Sequence, residues 1–362
     1  MRFPEFTEEW KAEQLDNIAT LSKGIGISKE QLSEDGEPCI LYGELYTKYK
    51  SEIIKQVESK TDINGSKLKR SKANDVIIPC SGETAVDIAT ARCVPFDNIL
   101  FGGGLNVISL HQYDGAFMSY QLNGKRKYDI ARVAQGVSIV HLYGEHLKAI
   151  KTYNPTLPEQ QKIAKLLSLL DDRIDTQNKI IEDLKKLKSA ISERLFKSVK
   201  GFTVLLSDLC DIVKGKQING ENLSDSGNYY VMNGGTEPSG YYDNYNVEAS
   251  TISISEGGNS CGYVQFNTSP FWSGGHCYSI QNIADKVDNM YLYHYLKSNE
   301  DAIMKLRIGS GLPNIQKKDL AMFKIIVPKI EWQIKISTFL SSLERKAEIE
   351  ERIPVSYTHL TL

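Results

Sequence analysis

His141 and His146, the run Gly102-Gly103-Gly104-Leu105-Asn106, the tetrapeptide Asn154-Pro155-Thr156-Leu157 and six cysteines could do chemistry if their spacing allowed it. The two histidines are five apart, which does not put them on one helical metal-binding face, so they read as structural. The glycine run is neither GxGxxG nor a Walker A loop, and no helix start follows it, so it reads as a turn. Asn154-Pro155 lacks the second proline and the aromatic residue of an amino-methyltransferase loop and reads as a hinge before a helix. Cys39, Cys80, Cys93, Cys210, Cys261 and Cys277 contain no C-x-x-C pair, and no histidine spacing completes a zinc set. They read as scattered buried thiols of a reducing cytoplasm. Neither HExxH nor GxSxG occurs. Paired acids that would mark a duplicated catalytic site do not stand out, although a pair of distant carboxylates stays open.

The elements that would position any site are more informative. Residues 158–199 hold neither glycine nor proline after Pro158. Apolar residues recur at Ile163, Leu167, Leu170, Ile174, Ile181 and Leu184, and again at Leu187, Ile191 and Leu195. Steps of three and four make a coiled-coil seam, with Gln177 as a polar member and a slip of register near Leu184–Leu187. Thr156-Leu157-Pro158-Glu159 starts the helix as a capping box with proline in the first turn. At 1.5 Å per residue this helix is about 63 Å long, more than a small domain is wide. A long surface helix on one domain is the plainer alternative, but it would need an apolar partner along the whole seam.

The chain also repeats itself. Residues 155–171 and 328–344 share Pro155/Pro328, Gln160/Gln333, Lys162/Lys335, Ile163/Ile336, Leu167/Leu340, Ser168/Ser341 and Leu170/Leu343 at an offset of 173. Residues 15–43 and 206–234 match at an offset of 191, including Lys23/Lys214, Gly24/Gly215 and Gly36/Gly227. Phe101-x-Gly103-Gly104 echoes Trp272-x-Gly274-Gly275, and Gly136 echoes Gly309. The order is therefore globular, helix, globular, helix. The first globular copy is longer by 18 residues, which we place between residues 44 and 100. Short strands bounded by turn residues, Asp75–Pro79 and Ser250–Ile254, make each copy α+β with strands dominant. The seam of the second helix ends near 353 because Pro354 falls on it. Residues 354–362 continue no pattern and are expected to be a non-native tail on a shortened chain.

Composition sets limits. At roughly 100–200 residues per domain, 362 residues make two or three domains. No apolar run approaches the roughly 18 residues of a membrane span, and Met1–Glu9 has no apolar core of a secretory signal. With 43 Lys and Arg against 45 Asp and Glu, global charge gives a nucleic-acid binder no support, so such a role must rest on local patches or a partner.

In this order and spacing the chain resembles the specificity subunit of a type I restriction-modification system. The opening Arg2-Phe3-Pro4-x-Phe6-x-x-x-Trp10 followed by Leu15 is similar to the start of that family's first recognition domain. Pro155…Glu159-Gln160-Gln161-Lys162-Ile163-Ala164 is similar to the start of its central helix. The resemblance covers residues 1–353. It implies an α+β fold in which two homologous strand-rich target recognition domains, 1–155 and 201–328, are separated by helical spacers, 156–200 and 329–353. The spacers are expected to pair as an antiparallel coiled coil, with Ile163, Leu167, Leu170, Ile174, Ile181, Leu184, Ile336, Leu340 and Leu343 in its seam. Each domain would read one half of a bipartite asymmetric site in double-stranded DNA, and the helices would set the half-site spacing. Two modification (methyltransferase) subunits and the restriction (translocase/nuclease) subunits would dock on this cytoplasmic scaffold. The chain itself would catalyse nothing and hold no metal or cofactor; S-adenosylmethionine, ATP and magnesium belong to the partners.

Given that reading, arginine and lysine suit guanine, asparagine and glutamine suit adenine, and phosphate contacts only position the protein. Candidate DNA contacts in the first domain are Lys67, Lys69, Arg70 and Lys72, then Lys125, Arg126 and Lys127. In the second they are Lys214, Lys216 and Gln217, then Asn233, then Asn314, Gln316, Lys317 and Lys318. The plainer alternative for each cluster is a solvated loop. Residues 201–328 carry 9 Lys and Arg against 13 Asp and Glu, a poor phosphate surface taken whole, so much of the grip is expected from the methyltransferase subunits. Tyr241, Tyr242 and Tyr245 read as packing. The rival classes are a two-headed protein-binding adaptor without DNA readout and a single-chain DNA-modifying enzyme. The second would need an S-adenosylmethionine fold for which the repeat leaves no room.

Overall fold

Val76, Ile77 and Ile78 alternate between two cores. Val76 and Ile78 join Leu15, Ile18, Ile88, Met118 and Leu122, while Ile77 joins Ile40, Leu45, Val94 and Phe101 on the opposite face. A strand buried on both faces must be central. In a computed structural model, described for residues 3–63, 65, 67–309, 311 and 313–352, it is. The residues expected to form a non-native tail, 354–362, lie outside the described residues, as do Pro354 and the end of the second spacer at 353.

The chain forms two compact units, one extending to Gln177 and the other running from Asn178 to Arg352. The first contains strands β1 (Lys11–Gln14), β2 (Ala19–Lys23), β3 (Glu37–Ile40), β4 (Asp75–Pro79), β5 (Arg92–Val94), β6 (Leu100–Phe101), β7 (Leu105–Leu110) and β8 (Lys151–Asn154). Its main sheet is antiparallel in the order β2-β7-β4-β5, with Val107 opposite Ile77. A smaller sheet is built on the parallel pair β3–β6, Cys39 beside Leu100, with the strands Ser59–Thr61 and Lys69–Arg70 at its edges. Helix α1 (Gly115–Asn123) is capped by Asp114, whose Oδ1 accepts from Phe117 N at 2.7 Å. The helix α2 (Lys127–Val133) follows it.

Helix α3 (Leu157–Ser198) starts one residue earlier than the apolar periodicity and ends one earlier. Its N-terminal turns bury Ile163 and Ala164 against Phe117 of α1, with Trp10, Phe3 and Leu167 beside them. These seam residues therefore pack on their own domain; an apolar stripe does not itself name its partner. The stripe does not slip at Leu187, as the sequence led us to expect. Leu187 is half exposed, and Lys188 occupies the seam.

The second unit repeats the first. Strands β9 (Phe202–Leu205), β10 (Asp211–Lys214), β11 (Tyr229–Met232), β12 (Thr251–Ser255), β13 (Val264–Asn267), β14 (Trp272–Ser273), β15 (Cys277–Gln281) and β16 (Lys324–Val327) pair as their counterparts do. The main sheet runs β10-β15-β12-β13, all antiparallel, and Val231 of β11 lies parallel beside Trp272 of β14. The β9–β16 pair answers β1–β8. Helix α4 (Asn289–Ser298) answers α1, capped by Asp288 through Tyr291 N at 2.7 Å. The short helix α5 (Lys317–Ala321) precedes β16. Helix α6 (Ile330–Arg352) answers the start of α3 and buries Ile336 and Leu340 in the main core of its unit.

Within this unit the C-terminal half of α3 and α6 run antiparallel. Lys188 pairs with Glu344 at 2.6 Å, and Lys185 with the later Glu351 at 2.5 Å. Between β3 and β6 the first unit holds strands Ser59–Thr61 and Lys69–Arg70 and the short helix Glu44–Thr47; between β11 and β14 the second has only Tyr241–Tyr242 and the corresponding main-sheet strands. Among the described residues, no helix is long and apolar enough to cross a membrane.

Candidate nucleic-acid interface

A shared backbone frame positions loops at the same corner of both units. In the first, Gly24 N donates to Leu105 O at 2.9 Å, Cys80 N to Gly104 O at 2.7 Å, Gly102 N to Ile40 O at 2.9 Å and Leu142 N to Cys80 O at 2.9 Å. In the second, Gly215 N donates to Cys277 O at 2.8 Å, Glu256 N to His276 O at 2.9 Å, Gly274 N to Met232 O at 2.8 Å and Ile315 N to Glu256 O at 2.8 Å. Glycine is required where two chains touch: a Cβ on Gly24 would collide with the Gly102 carbonyl, and one on Gly215 with the Gly274 carbonyl.

In the second unit this frame gathers candidates that are far apart in sequence. Lys214, Lys216 and Gln217 are exposed at the end of β10; Asn233 follows β11; Asn314 bridges to Gly257 and Ile308. At their centre is Glu256, 9% exposed. Its Oε1 accepts from Lys214 Nζ at 2.7 Å and shares the Tyr278 hydroxyl proton, at 3.1 Å, with Ile315 O at 3.0 Å. Its Oε2 is buried without a hydrogen-bond partner among the described residues and lies 3.9 Å from Nδ1 of the exposed His276. Asn233 Oδ1 accepts from the backbone N–H of His276 at 3.1 Å, and Trp272 Nε1 donates to Lys216 O at 2.9 Å. Burial, then the neighbouring carboxylate, push the Tyr278 phenol up, so it stays a hydrogen-bond donor. Gln316 precedes α5 without a capping bond from its side chain, and Lys317 and Lys318 are exposed in its first turn. Tyr242 packs edge-on against Trp272, and Tyr245 against Tyr229.

In the first unit the candidates divide. Lys69 and Lys72 line a polar cleft of 330 Å³ with Thr20, Ser22, Asn74 and His111. Thr20 Oγ1 and His111 Nε2 are 2.7 Å apart there. Lys67 is exposed in the turn before them. Arg70 is held by Glu37 through two parallel bonds of 2.5 and 2.9 Å, and this grip keeps the Glu37 carboxyl below its usual range. Lys125 and Arg126 lie in the turn between α1 and α2, and Lys127 opens α2. Arg126 pairs with Asp129 at 2.9 Å and stacks over Tyr153 at 5.3 Å.

Charge-led reading missed the residues at the centre of the frame: Glu256, His276, Tyr278 and Trp272, and in the first unit Lys23, Cys80 and Tyr143. Lys23 Nζ sits 5.6 Å from the Tyr143 ring. The usable signal was the repeat itself, since Lys23-Gly24 matches Lys214-Gly215. Cys80 is also the exception to the expected burial of the cysteines: it is partly exposed, whereas the other five are buried. Among the described residues no three His, Cys, Asp or Glu side chains gather as a metal site.

Two units of one topology, each mounting different polar side chains on one frame beside a long helix, define a duplicated recognition protein. The chain belongs to the type I restriction modification DNA specificity domain family, whose model matches residues 7–186 and again 201–356. A chain named as a type I specificity subunit from Mycoplasma pneumoniae is 32% identical over 154 residues, 42% of this chain and 41% of that one. This chain thus spans less than half the length of that relative. The type I restriction enzyme MjaVIII specificity subunit of Methanocaldococcus jannaschii is 24% identical over 394 aligned positions, covering 95% of this chain and 88% of that one. The fold is similar to the crystal structure of a type I restriction-modification S subunit from Mycoplasma genitalium, with TM-score 0.71, 19% identity and coverage of 98% and 94%. It is also similar to a chain from a structural study of type I complex assembly and conformational transition, with TM-score 0.59, 15% identity and the same coverage.

Proposed function

We propose that the chain is the sequence-reading scaffold of a type I restriction-modification complex. Domain 1–155 reads one half of a bipartite, asymmetric duplex site and domain 201–328 reads the other. The helical segments 156–200 and 329–353 set the spacing as an antiparallel coiled coil. Two methyltransferase subunits and the restriction subunits dock on it in the cytoplasm and bring S-adenosylmethionine, ATP and magnesium; the chain contributes recognition and no catalysis. The observation that carries this reading is the frame built twice with different side chains: beside a shared Lys-Gly step, Cys80 and Gly104 stand where Glu256 and His276 stand in the other copy. Two unlike readers joined by helical spacers would make half-site separation a matter of geometry, as dimer spacing does for symmetric binders.

The DNA contacts of the second domain belong to the loops on that frame, Lys214–Gln217, Asn233 and Asn314–Lys317, and those of the first to Lys67, Lys69 and Lys72 beside the cleft and to Lys125–Lys127 at the start of α2. The test is selection of randomised duplex DNA by the chain together with its methyltransferase subunits, followed by methylation mapping. A split motif whose second half alone changes when residues 201–328 are exchanged for those of a relative supports the proposal. A change in both halves, or no motif, overturns it.

A further inference from the structure

The frame uses the backbone of Glu256 and not its carboxylate. The first unit closes the equivalent backbone bonds with Cys80 at that position and Gly104 where the second has His276. The carboxylate and the imidazole are therefore additions to a scaffold that stands without them. Burying a carboxylate costs free energy unless it is paired. Here it is paired on one oxygen, by Lys214 and Tyr278, while the other oxygen faces His276.

The patch offers donors and hides acceptors. Lys214 Nζ has two protons left after its bond to Glu256, and the side chains of Lys214 and His276 are 53% and 63% exposed. Asn233 Oδ1 is taken by the backbone N–H of His276, Glu256 Oε1 by two donors, and Glu256 Oε2 is covered. A ligand edge that fits carries acceptors. Duplex DNA carries acceptors on its phosphate oxygens and on base edges; in the major groove adenine N7 stands beside the N6 donor and thymine O4 beside a methyl group, whereas guanine presents two adjacent acceptors, O6 and N7. Phosphate binding draws its energy from uncompensated positive charge. At this patch Glu256 offsets that charge while leaving the donors aimed outward, which suits a base edge.

We infer that Lys214, His276 and Glu256 form the base-reading patch of the second domain, that Lys214 and His276 donate to a guanine, and that Glu256 is the positioning residue that aims them. This rests on the DNA reading proposed above. The test compares wild type with H276A, K214A and E256Q in the complete complex, selecting randomised duplexes at two salt concentrations. Thermal unfolding of each variant checks that the domain is intact.

The second half-site is expected to contain at least one G·C pair. H276A and K214A should each relax the preference at one such position by about tenfold, leaving the first half unchanged. E256Q should relax the same position as K214A, with an unchanged melting midpoint, which a merely structural role would not produce. Three outcomes overturn the inference while leaving the DNA reading intact: a second half-site made only of A·T pairs, variants that keep every preference, or K214A weakening all sequences alike with a shallower salt dependence, which would mark a phosphate contact. Failure of the wild-type complex to select any motif would overturn the DNA reading itself.

Discussion

Gln333 and Asp288 are joined by a bond from the Asp288 backbone N–H to Gln333 Oε1 at 2.8 Å, and this bond seats α6 on the cap of α4. The amide's other end donates to Pro328 O at 2.8 Å and Lys286 O at 3.0 Å. One fully buried side chain thus satisfies three backbone groups at the point where helix, strand and domain meet. Gln160 does the equivalent work in the first unit, accepting from Asp114 N at 2.9 Å and donating to Pro155 O at 2.8 Å.

Replacing this glutamine by leucine keeps its volume and strands those groups. Q333L is expected to destabilise the second unit by about 3 kcal/mol, since each unsatisfied buried group costs about 1–3 kcal/mol. Urea unfolding followed through Trp272 and Trp332 measures it. A loss below about 0.5 kcal/mol would mean the seat is held by apolar packing alone.

Much of this was legible beforehand, because Gln160 and Gln333 are among the identities that define the repeat. The repeat exposes positions that both copies need, so it marked Gly24 with Gly215 and Gln160 with Gln333 without saying what they do; the long helix was legible from its apolar periodicity and its lack of glycine and proline. It could not announce what each copy needs alone. Glu256 is acidic in a stretch searched for bases, and only the fold brings residues 214, 256 and 276 together. Ile163 and Leu167 read as helix–helix seam because periodicity records that a face is buried and not against what. Arg70 is basic and exposed, yet its fork is occupied by Glu37, which lies 33 residues away in sequence.

Leu187 and Lys188 separate hydrophobicity from position. Leucine is the apolar residue, but the lysine is the one on the seam, its side chain 20% exposed against Glu344 at 2.6 Å. L187S should change stability by less than about 0.5 kcal/mol. K188A should cost about 1–2 kcal/mol, since it leaves Glu344 part-buried with the Tyr293 hydroxyl as its remaining partner above. Equal losses in the two variants, measured by the same unfolding transition, would put the seam back on Leu187.

His294 gives the second unit an acid-sensitive element. Burial, opposed only in part by Glu344, lowers its pKa to about 4, and its Nε2 lies 2.9 Å from Ser341 Oγ of α6. Between pH 6.5 and 4 the unfolded chain takes up a proton there and the folded chain does not. Stability therefore falls as pH drops through that window, by at most about 3 kcal/mol, and this group adds no further loss below it. H294Q should flatten the pH dependence over the same interval. A variant curve that stays parallel to wild type would assign the acid sensitivity to other groups.

Gly24 and Gly215 allow the two domains to be tested one at a time. Each lies where its strand passes a carbonyl of the facing glycine loop, and each has its N–H bonded across the sheet, Gly24 to Leu105 O and Gly215 to Cys277 O. Alanine at either position forces the loops apart, because the obstructing atoms are backbone and cannot rotate away. The damage is local: the obstructed backbone lies beside Lys214–Gln217 in one unit and beside Lys23 in the other, while the cores below are made by residues such as Ile252, Ile280 and Leu292 in one unit and Val76, Ile108 and Leu122 in the other. G215A is expected to lower preference at the second half-site by tenfold or more and to leave the first half intact, and G24A to do the reverse. Selection of randomised DNA reads both halves in one experiment. Loss of both halves in either single variant would show that the frame supports the chain as a whole, and would remove the basis for treating the two domains as separate readers.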